Sequence, residues 1–254
     1  MKKILTTTLL LASISIANAS MDDCTEAAQN KSWNDVIEYC KPLADSNREA
    51  LAFTGSAYAM LDNGEMAQNY LQKYVNKYKD SNDDKTSLAN AYMTLGNLYY
   101  FKENYGAKRD IQKGLQYITK GAELGNAIAQ YQLGTVYFNG DNAPVNYPTA
   151  YMWYTISAYN GDEDAKNNFF KENEATYLSQ APSCIAIGDN MVAKAYLDGK
   201  GGLPVSTAEA KEYLEKAISL YKQSKEPTAN ELKYCKPVSD DLNLAGAEKL
   251  LASL

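Results

Sequence analysis

The sequence predicts an all-α chain folded as a solenoid of about five helix-turn-helix units, closed by a C-terminal capping helix. Three observations carry this expectation. A short pattern of small, apolar and aromatic residues recurs along the chain, and a second pattern, small-x-x-aromatic-apolar, follows each copy of it. Clusters of Gly, Asn and Asp punctuate the joints, at Asp62-Asn63-Gly64, Leu124-Gly125-Asn126, Asn160-Gly161-Asp162 and Gly199-Lys200-Gly201-Gly202.

The first pattern reads AYMTLGNLY at 91–99 and AQYQLGTVY at 129–137, an offset of 38 residues. Residues 50–58, ALAFTGSAY, keep Ala, Gly and Tyr, and 188–196, GDNMVAKAY, keep the spacing with Ala193 in place of the central Gly. The second pattern is clear at 114–122, 150–158 and 210–217, and looser at 36–40 and 67–71. Small or aromatic residues fall at i, i+3, i+4 and i+7 or i+8, the period of one helix face. A small residue lets two helices approach, and a ring fills the adjacent hole. A hairpin of this kind cannot bury both faces alone, so it must stack on neighbours.

Residues 129–165, AQYQLGTVYFNGDNAPVNYPTAYMWYTISAYNGDEDA, carry LG-x-x-Y, a Gly-containing loop, A-x-x-W-Y and a closing small-small-x-x-G. This stretch resembles a Sel-one-like repeat (SLR), a relative of the tetratricopeptide repeat. The resemblance implies a right-handed α/α solenoid. From first-helix Tyr to second-helix small residue there are 13 residues (Tyr137 to Ala150), 14 (Tyr196 to Ala210) and 15 (Tyr99 to Gly114). Between Tyr58 and Ala67 there are only 9, the shorter tetratricopeptide spacing.

In chain order, residues 1–19 begin with Lys2 and Lys3, run uncharged from Ile4 to Ile16 and end on Ala17-Asn18-Ala19. They read as a secretory signal peptide cleaved before Ser20, which sends the mature chain to the periplasm or outside the cell. The apolar run is too short to anchor the chain in a bilayer, and Met21-Asp22-Asp23 before Cys24 does not suit a lipoprotein signal. Residues 20–84 are expected to hold tetratricopeptide-like repeats, the first of which, 22–44, is degenerate. Residues 85–224 are expected to hold SLR-type repeats, interrupted by a helix-length insertion at 165–182. Residues 225–254 read as C-terminal capping helices, with Asp240 and Asp241 suiting the N-terminus of the last.

The four cysteines, Cys24, Cys40, Cys184 and Cys235, imply two disulfides in an oxidising compartment, with three pairings open by count. No CxxC pair suggests a metal site. The register supplied by the resemblance favours Cys24–Cys40 and Cys184–Cys235. Cys24 falls at the close-contact position of a first helix, and Cys40 stands beside the aromatic of its second. The other pair would staple the C-terminal end.

Composition narrows the chemistry. The chain has no His, which removes the commonest general base and the commonest nitrogen ligand for zinc. Its formal charge is −6, and loss of the two leader lysines takes it to −8. An acidic chain without a basic patch argues against nucleic acid or anionic lipid as partner, and no later segment reads as membrane-inserting. No cofactor or metal is expected. Ser219-x-x-Lys222 matches the nucleophile motif of penicillin-recognising enzymes, but the companion S-D-N and K-T-G motifs are missing. Asp83-Asp84 and Asp162-Glu163-Asp164 read as helix-capping clusters, and Gly199–Gly202 as an inter-helix loop without Walker spacing. Of 21 Tyr, nine fall at recurring helix-contact positions: Tyr39, Tyr58, Tyr70, Tyr99, Tyr117, Tyr137, Tyr154, Tyr196 and Tyr213.

The resemblance further implies that first helices line a concave face and that positions there outside the repeat consensus contact a protein partner. Those positions are Asn90, Met93, Asn97, Tyr100 and Phe101 in one repeat, Tyr131, Thr135, Phe138 and Asn139 in the next, and Lys194 and Asp198 in the last. The expected function is therefore a non-enzymatic protein-binding scaffold. Exported SLR proteins serve as immunity partners that block periplasm-acting toxins such as type VI secreted lipases, and that role stays open here. So do β-lactam or peptidoglycan binding or hydrolysis, and a secreted host-interaction role. The SLR proteins linked to β-lactams carry a cysteine pair in each repeat, which this chain does not.

Overall fold

The computed structural model describes residues 19–101, 106–167, 174–224 and 228–254. The expected signal peptide, apart from Ala19, lies outside the described residues, as does the middle of the insertion. The described helices are α1 (Met21–Gln29), α2 (Trp33–Cys40), α3 (Arg48–Met60), α4 (Gly64–Tyr78), α5 (Lys85–Tyr100), α6 (Ile111–Glu123), α7 (Ala127–Asn139), α8 (Tyr147–Tyr159), α9 (Glu174–Leu178), α10 (Pro182–Asp198), α11 (Thr207–Gln223) and α12 (Leu244–Ala252). Five hairpins follow: α1–α2, α3–α4, α5–α6, α7–α8 and α10–α11. The second helix of each packs on the first helix of the next, and α12 packs on α11. The chain is an α/α solenoid.

The joints explain the helix starts. Ser20, Asn47, Asn63, Asp84, Asp110, Asn126, Asn146, Ser206 and Asn243 each accept a backbone N–H of the first turn through a side-chain oxygen. These caps satisfy donors that a helix cannot pair internally. Asp84 and Asp162 of the two acidic clusters both take this role, the latter accepting from the Ala165 N–H at 2.7 Å.

The recurring small residue is where the two helices of a hairpin touch. A Cβ on Gly96 would lie 2.6 Å from Ile118 Cγ1, and one on Gly134 would lie 2.9 Å from the Tyr154 ring. Both are nearer than real carbon contacts, so only glycine admits the partner at that spacing. The recurring tyrosines stack beside this contact. Ring centroids stand 5.5 Å apart for Tyr58–Tyr70, 5.7 Å for Tyr99–Tyr117 and 6.0 Å for Tyr196–Tyr213. Much of the tyrosine is thus hairpin core, where the ring adds area and its hydroxyl reaches a polar edge.

Two disulfides lock the ends. Cys24–Cys40 joins α1 to α2 with Cα atoms 4.8 Å apart, and Cys184–Cys235 joins α10 to the segment before α12, at 5.3 Å. One local expectation needs correction. The last helix starts at Leu244 with Asn243 as its cap, Asn243 Oδ1 accepting the Gly246 N–H at 2.9 Å. Asp241 does not cap it, because its carboxylate is drawn to Lys194 on α10. The described part of the insertion at 165–182 includes the five-residue α9. Tyr177 of α9 is buried, donates to the Ile185 carbonyl at 3.1 Å and stacks on Tyr151 at 4.5 Å. The insertion is therefore wedged between α8 and α10 by one ring.

Candidate partner-binding face

The first helices α5, α7 and α10 bring the expected site residues onto neighbouring elements. α5 and α7 are clamped side by side at both ends. Asn126, the cap of α7, donates through Nδ2 to Asn90 Oδ1 at 2.8 Å. At the other end the Tyr100 hydroxyl donates to the Asp141 carbonyl and accepts from Asn142 Nδ2, both at 3.1 Å. Asn90 and Tyr100 thus hold adjacent repeats in register.

Exposure divides the eleven residues. Asn90, Phe101, Asn139 and Asp198 are exposed, Phe101 to 47%. Met93, Asn97, Tyr100, Tyr131, Thr135, Phe138 and Lys194 are half-buried. Met93 and Tyr100 pack on the C-terminal core. Asn97 Nδ2 contacts Met93 Sδ at 3.3 Å, while Asn97 Oδ1 is buried with no hydrogen-bond partner. Tyr131, Thr135 and Phe138 turn toward α8. Thr135 Oγ1 accepts from the Tyr154 hydroxyl at 3.0 Å, and the Tyr131 and Phe138 rings lie 5.5 and 6.4 Å from that of Tyr154.

In the last repeat the same face is covered by the chain's own tail. The Tyr147 N–H donates to the Tyr234 carbonyl and Asn146 Nδ2 to the Lys236 carbonyl, both at 2.8 Å. From there the segment runs along α10, where Val238, Ser239 and Leu242 line a cleft of 130 Å³ with Met191, Lys194 and Asp198. Lys194 Nζ meets Asp241 Oδ2 at 2.5 Å, and this bond, with a second from Ser239, holds the Asp241 carboxyl below the usual carboxylate range. The open part of the face is therefore on α5 and α7. Two residues there escaped the sequence reading. Ile128 is 49% exposed, and Gln132 has a buried Oε1 with no hydrogen-bond partner. The 38-residue offset that matches the two patterns sets Ile128 opposite Asn90 and could have found it.

A second unexpected group lies behind this face. Asp189 of α10 is 6% exposed, and its carboxyl is pushed up to about 7 by burial, Lys216 opposing the shift. Its charge in turn raises the hydroxyls of Tyr151, Tyr177, Tyr213 and Tyr221, which are already raised chiefly by burial. Gln130 occupies the corresponding position of α7, fully buried, and there Nε2 donates to the Ala122 and Gly201 carbonyls at 2.9 and 2.7 Å. Asn160 Nδ2 completes the link by donating to Gln130 Oε1 at 2.9 Å and to Gly201 O at 2.7 Å. Gln130 therefore ties three joints together, those after α6, α8 and α10.

Comparison with known proteins decides the family. The Sel1 repeat family model matches residues 89–126, 127–162 and 186–221. The chain is a Sel1-like repeat helical protein. No curated protein sequence matches it. Among solved structures it is similar to a Sel1 repeat protein from Oxalobacter formigenes, at 19% identity and a TM-score of 0.49, over 93% of this chain and 96% of the other. It is also similar to a protective antigen present in uropathogenic Escherichia coli strains displaying an SLR fold, at 16% identity and a TM-score of 0.33, over 93% and 59% of the two chains.

Sel1 repeat proteins are generally protein–protein interaction scaffolds and typically non-catalytic. At the end of α11, Lys222 Nζ pairs with Glu248 Oε1 at 2.8 Å and Ser219 Oγ accepts from Gln223 Nε2 at 3.2 Å. Both residues of the S-x-x-K match are exposed, and no hydrogen bond joins them. Among the described residues no group of three or more His, Cys, Asp or Glu could hold a metal ion, and no helix is long and apolar enough to cross a membrane.

Proposed function

We propose that this Sel1-repeat protein is an exported, non-catalytic scaffold that takes a protein partner on the first-helix face of α5 and α7. One observation carries the reading: this face exposes Phe101, Ile128 and Asn139 at positions that hairpin packing does not require. Large exposed apolar groups set among polar ones suit a protein interface. Asn90, Asn97 and Gln132 supply amide groups around them. Two disulfides and a leader-like start support an oxidising destination, the periplasm or the exterior.

The finer reading is an immunity role, in which the partner is a secreted toxin such as a type VI lipase and the scaffold blocks it. The acidic charge, the stapled ends and the lack of a catalytic set suit an inhibitor. The test is capture from the periplasm by the mature chain and by a Phe101→Asp, Ile128→Asp, Asn139→Arg variant. Exposed positions are chosen so that the variant still folds. Loss of one specific partner is expected, and equal recovery by both chains would overturn the assignment of the face. For the finer reading, a toxin encoded beside this gene should kill cells that export the variant and spare those that export the wild type.

A further inference from the structure

A buried carboxylate needs a cation beside it, and without one it keeps a proton or draws in water. Asp189 of α10 is buried and, among the described residues, forms no ion pair. Lys216, the cation that offsets its burial from α11, stands half in solvent and pairs with Glu212 at 2.7 Å. The other groups that feel the Asp189 charge are tyrosines: Tyr151 on α8, Tyr177 on α9, and Tyr213 and Tyr221 on α11. The acids nearest those tyrosines are Glu174 of α9, Glu209 and Glu212 of α11, and Asp241 before α12, and they add only negative charge.

The weakest wall of this cage is α9. It has five residues, of which Tyr177 alone is buried, and Leu178 beside it is exposed. The helices on either side, α8 and α11, each bury several side chains. An element held by a single ring opens at smaller cost than its neighbours.

That ring is seated next to the acid. It stacks on Tyr151 with an interplanar angle of 12°, and its hydroxyl bonds the Ile185 carbonyl. In an α-helix the carbonyl of residue 185 also accepts the N–H of residue 189, so Tyr177 meets α10 at the turn that carries Asp189. Gly188 makes the room, because a Cβ there would overlap the Tyr177 hydroxyl. Withdrawing the ring therefore opens a path for water to the turn of α10 that holds the carboxyl.

Docking of α9 and protonation of Asp189 are then linked. With α9 docked the carboxyl is pushed up to about 7 by burial, against an ordinary value of 3.8 in water. Below both values it is protonated in either form, and docking is unopposed. As pH rises through the docked value, the undocked form, which can hydrate the charge, is favoured. Taking the ordinary value for the undocked form, the undocking equilibrium rises roughly 90-fold from pH 5 to pH 8.

We propose that Asp189 and the Tyr177 ring form a pH-sensitive latch: the protonated carboxyl keeps α9 docked between α8 and α10, and its ionisation drives α9 toward the undocked form. Undocking uncovers the face of Tyr151 and the Gly188 turn, at the seam between the hairpins α7–α8 and α10–α11.

The test is amide hydrogen exchange of the mature chain at pH 5 and pH 8, with protection corrected for the intrinsic rate. The reporters are the Ser179 and Gln180 N–H groups, which bond the Ala175 and Tyr177 carbonyls when α9 is formed. Their protection should fall about 90-fold between the two pH values, while amides of α3 and α4 keep theirs. In Asp189→Asn the fall should vanish. Lys216→Gln, at an exposed position, should enlarge it, and this variant carries the test if Asp189→Asn folds poorly. Equal protection of Ser179 and Gln180 at both pH values in the wild type overturns the latch. So does an equal loss in α3 and α4, a wild-type fall in Asp189→Asn, or an unaltered fall in Lys216→Gln.

Discussion

Asp189→Asn should make this protein more stable at neutral and alkaline pH and flatten its stability profile. The folded carboxyl titrates at about 7 against an ordinary value of 3.8, so its folded value is raised. For a raised value the linkage has one sign. Below the unfolded value the group is protonated in both states, and burial carries no ionisation cost. As pH rises through the folded value, the native state must hold a charge among Tyr151, Tyr177, Tyr213 and Tyr221, with Lys216 as partial compensation, and stability is lost. Each unit of difference is 1.36 kcal/mol, so the full loss is about 4 kcal/mol, of which about 3 kcal/mol falls between roughly pH 4.5 and pH 8. The assay is urea unfolding of the mature wild type and the variant at both pH values. The pH-dependent part of the difference is the quantity to read, because the constant cost of burying the new amide cancels from it. Parallel profiles, with a pH-dependent difference under about 1 kcal/mol, would refute the placement of an ionisable carboxyl in that cage.

Three further outcomes follow from the same contacts. Replacing Cys184 and Cys235 by Ser should cost about 4 kcal/mol and the Cys24–Cys40 pair about 3 kcal/mol by loop-closure entropy, since the closed loops span 51 and 16 residues; thermal unfolding gives the order, and limited proteolysis should cut first in 228–242 in the former variant. Gly96→Ala should cost about 1–3 kcal/mol through overlap with Ile118 Cγ1 and the Ile118 backbone N, and Ile118→Ala, which removes Cγ1, should relieve part of that overlap, a coupling that a double-mutant cycle in urea reads directly. Gln130→Leu should cost about 2–3 kcal/mol by removing its buried hydrogen bonds to the Ala122 and Gly201 carbonyls and to Asn160 Nδ2, with amide exchange rising first at the joint of residues 199–206.

The repeat architecture is legible because it rests on near-neighbour contacts of fixed spacing. Gly96 and Gly134 meet Ile118 and Tyr154 across a short joint, so the chain must carry the small and large residues at matching intervals. The same register brings Cys24 to Cys40 and places Asx or Ser residues before most helices. Exposure on the first-helix face was only half legible. Asn90, Phe101, Asn139 and Asp198 are open, whereas Tyr131, Thr135 and Phe138 turn to Tyr154, a choice made by side-chain packing across the hairpin.

Folding in three dimensions settled the rest. The segment between Cys235 and Leu242 has no period to read, and its course along α10 depends on the disulfide, the Asn146 side chain and the Lys194–Asp241 pair acting together. Asp189 looks like any helical acid in the sequence, since its four tyrosines come from α8, α9 and α11 and converge only when the insertion wedges into the stack. Periodicity records which face of a helix is buried. What that face meets depends on contacts between residues far apart in the chain, and these the amino-acid pattern does not carry.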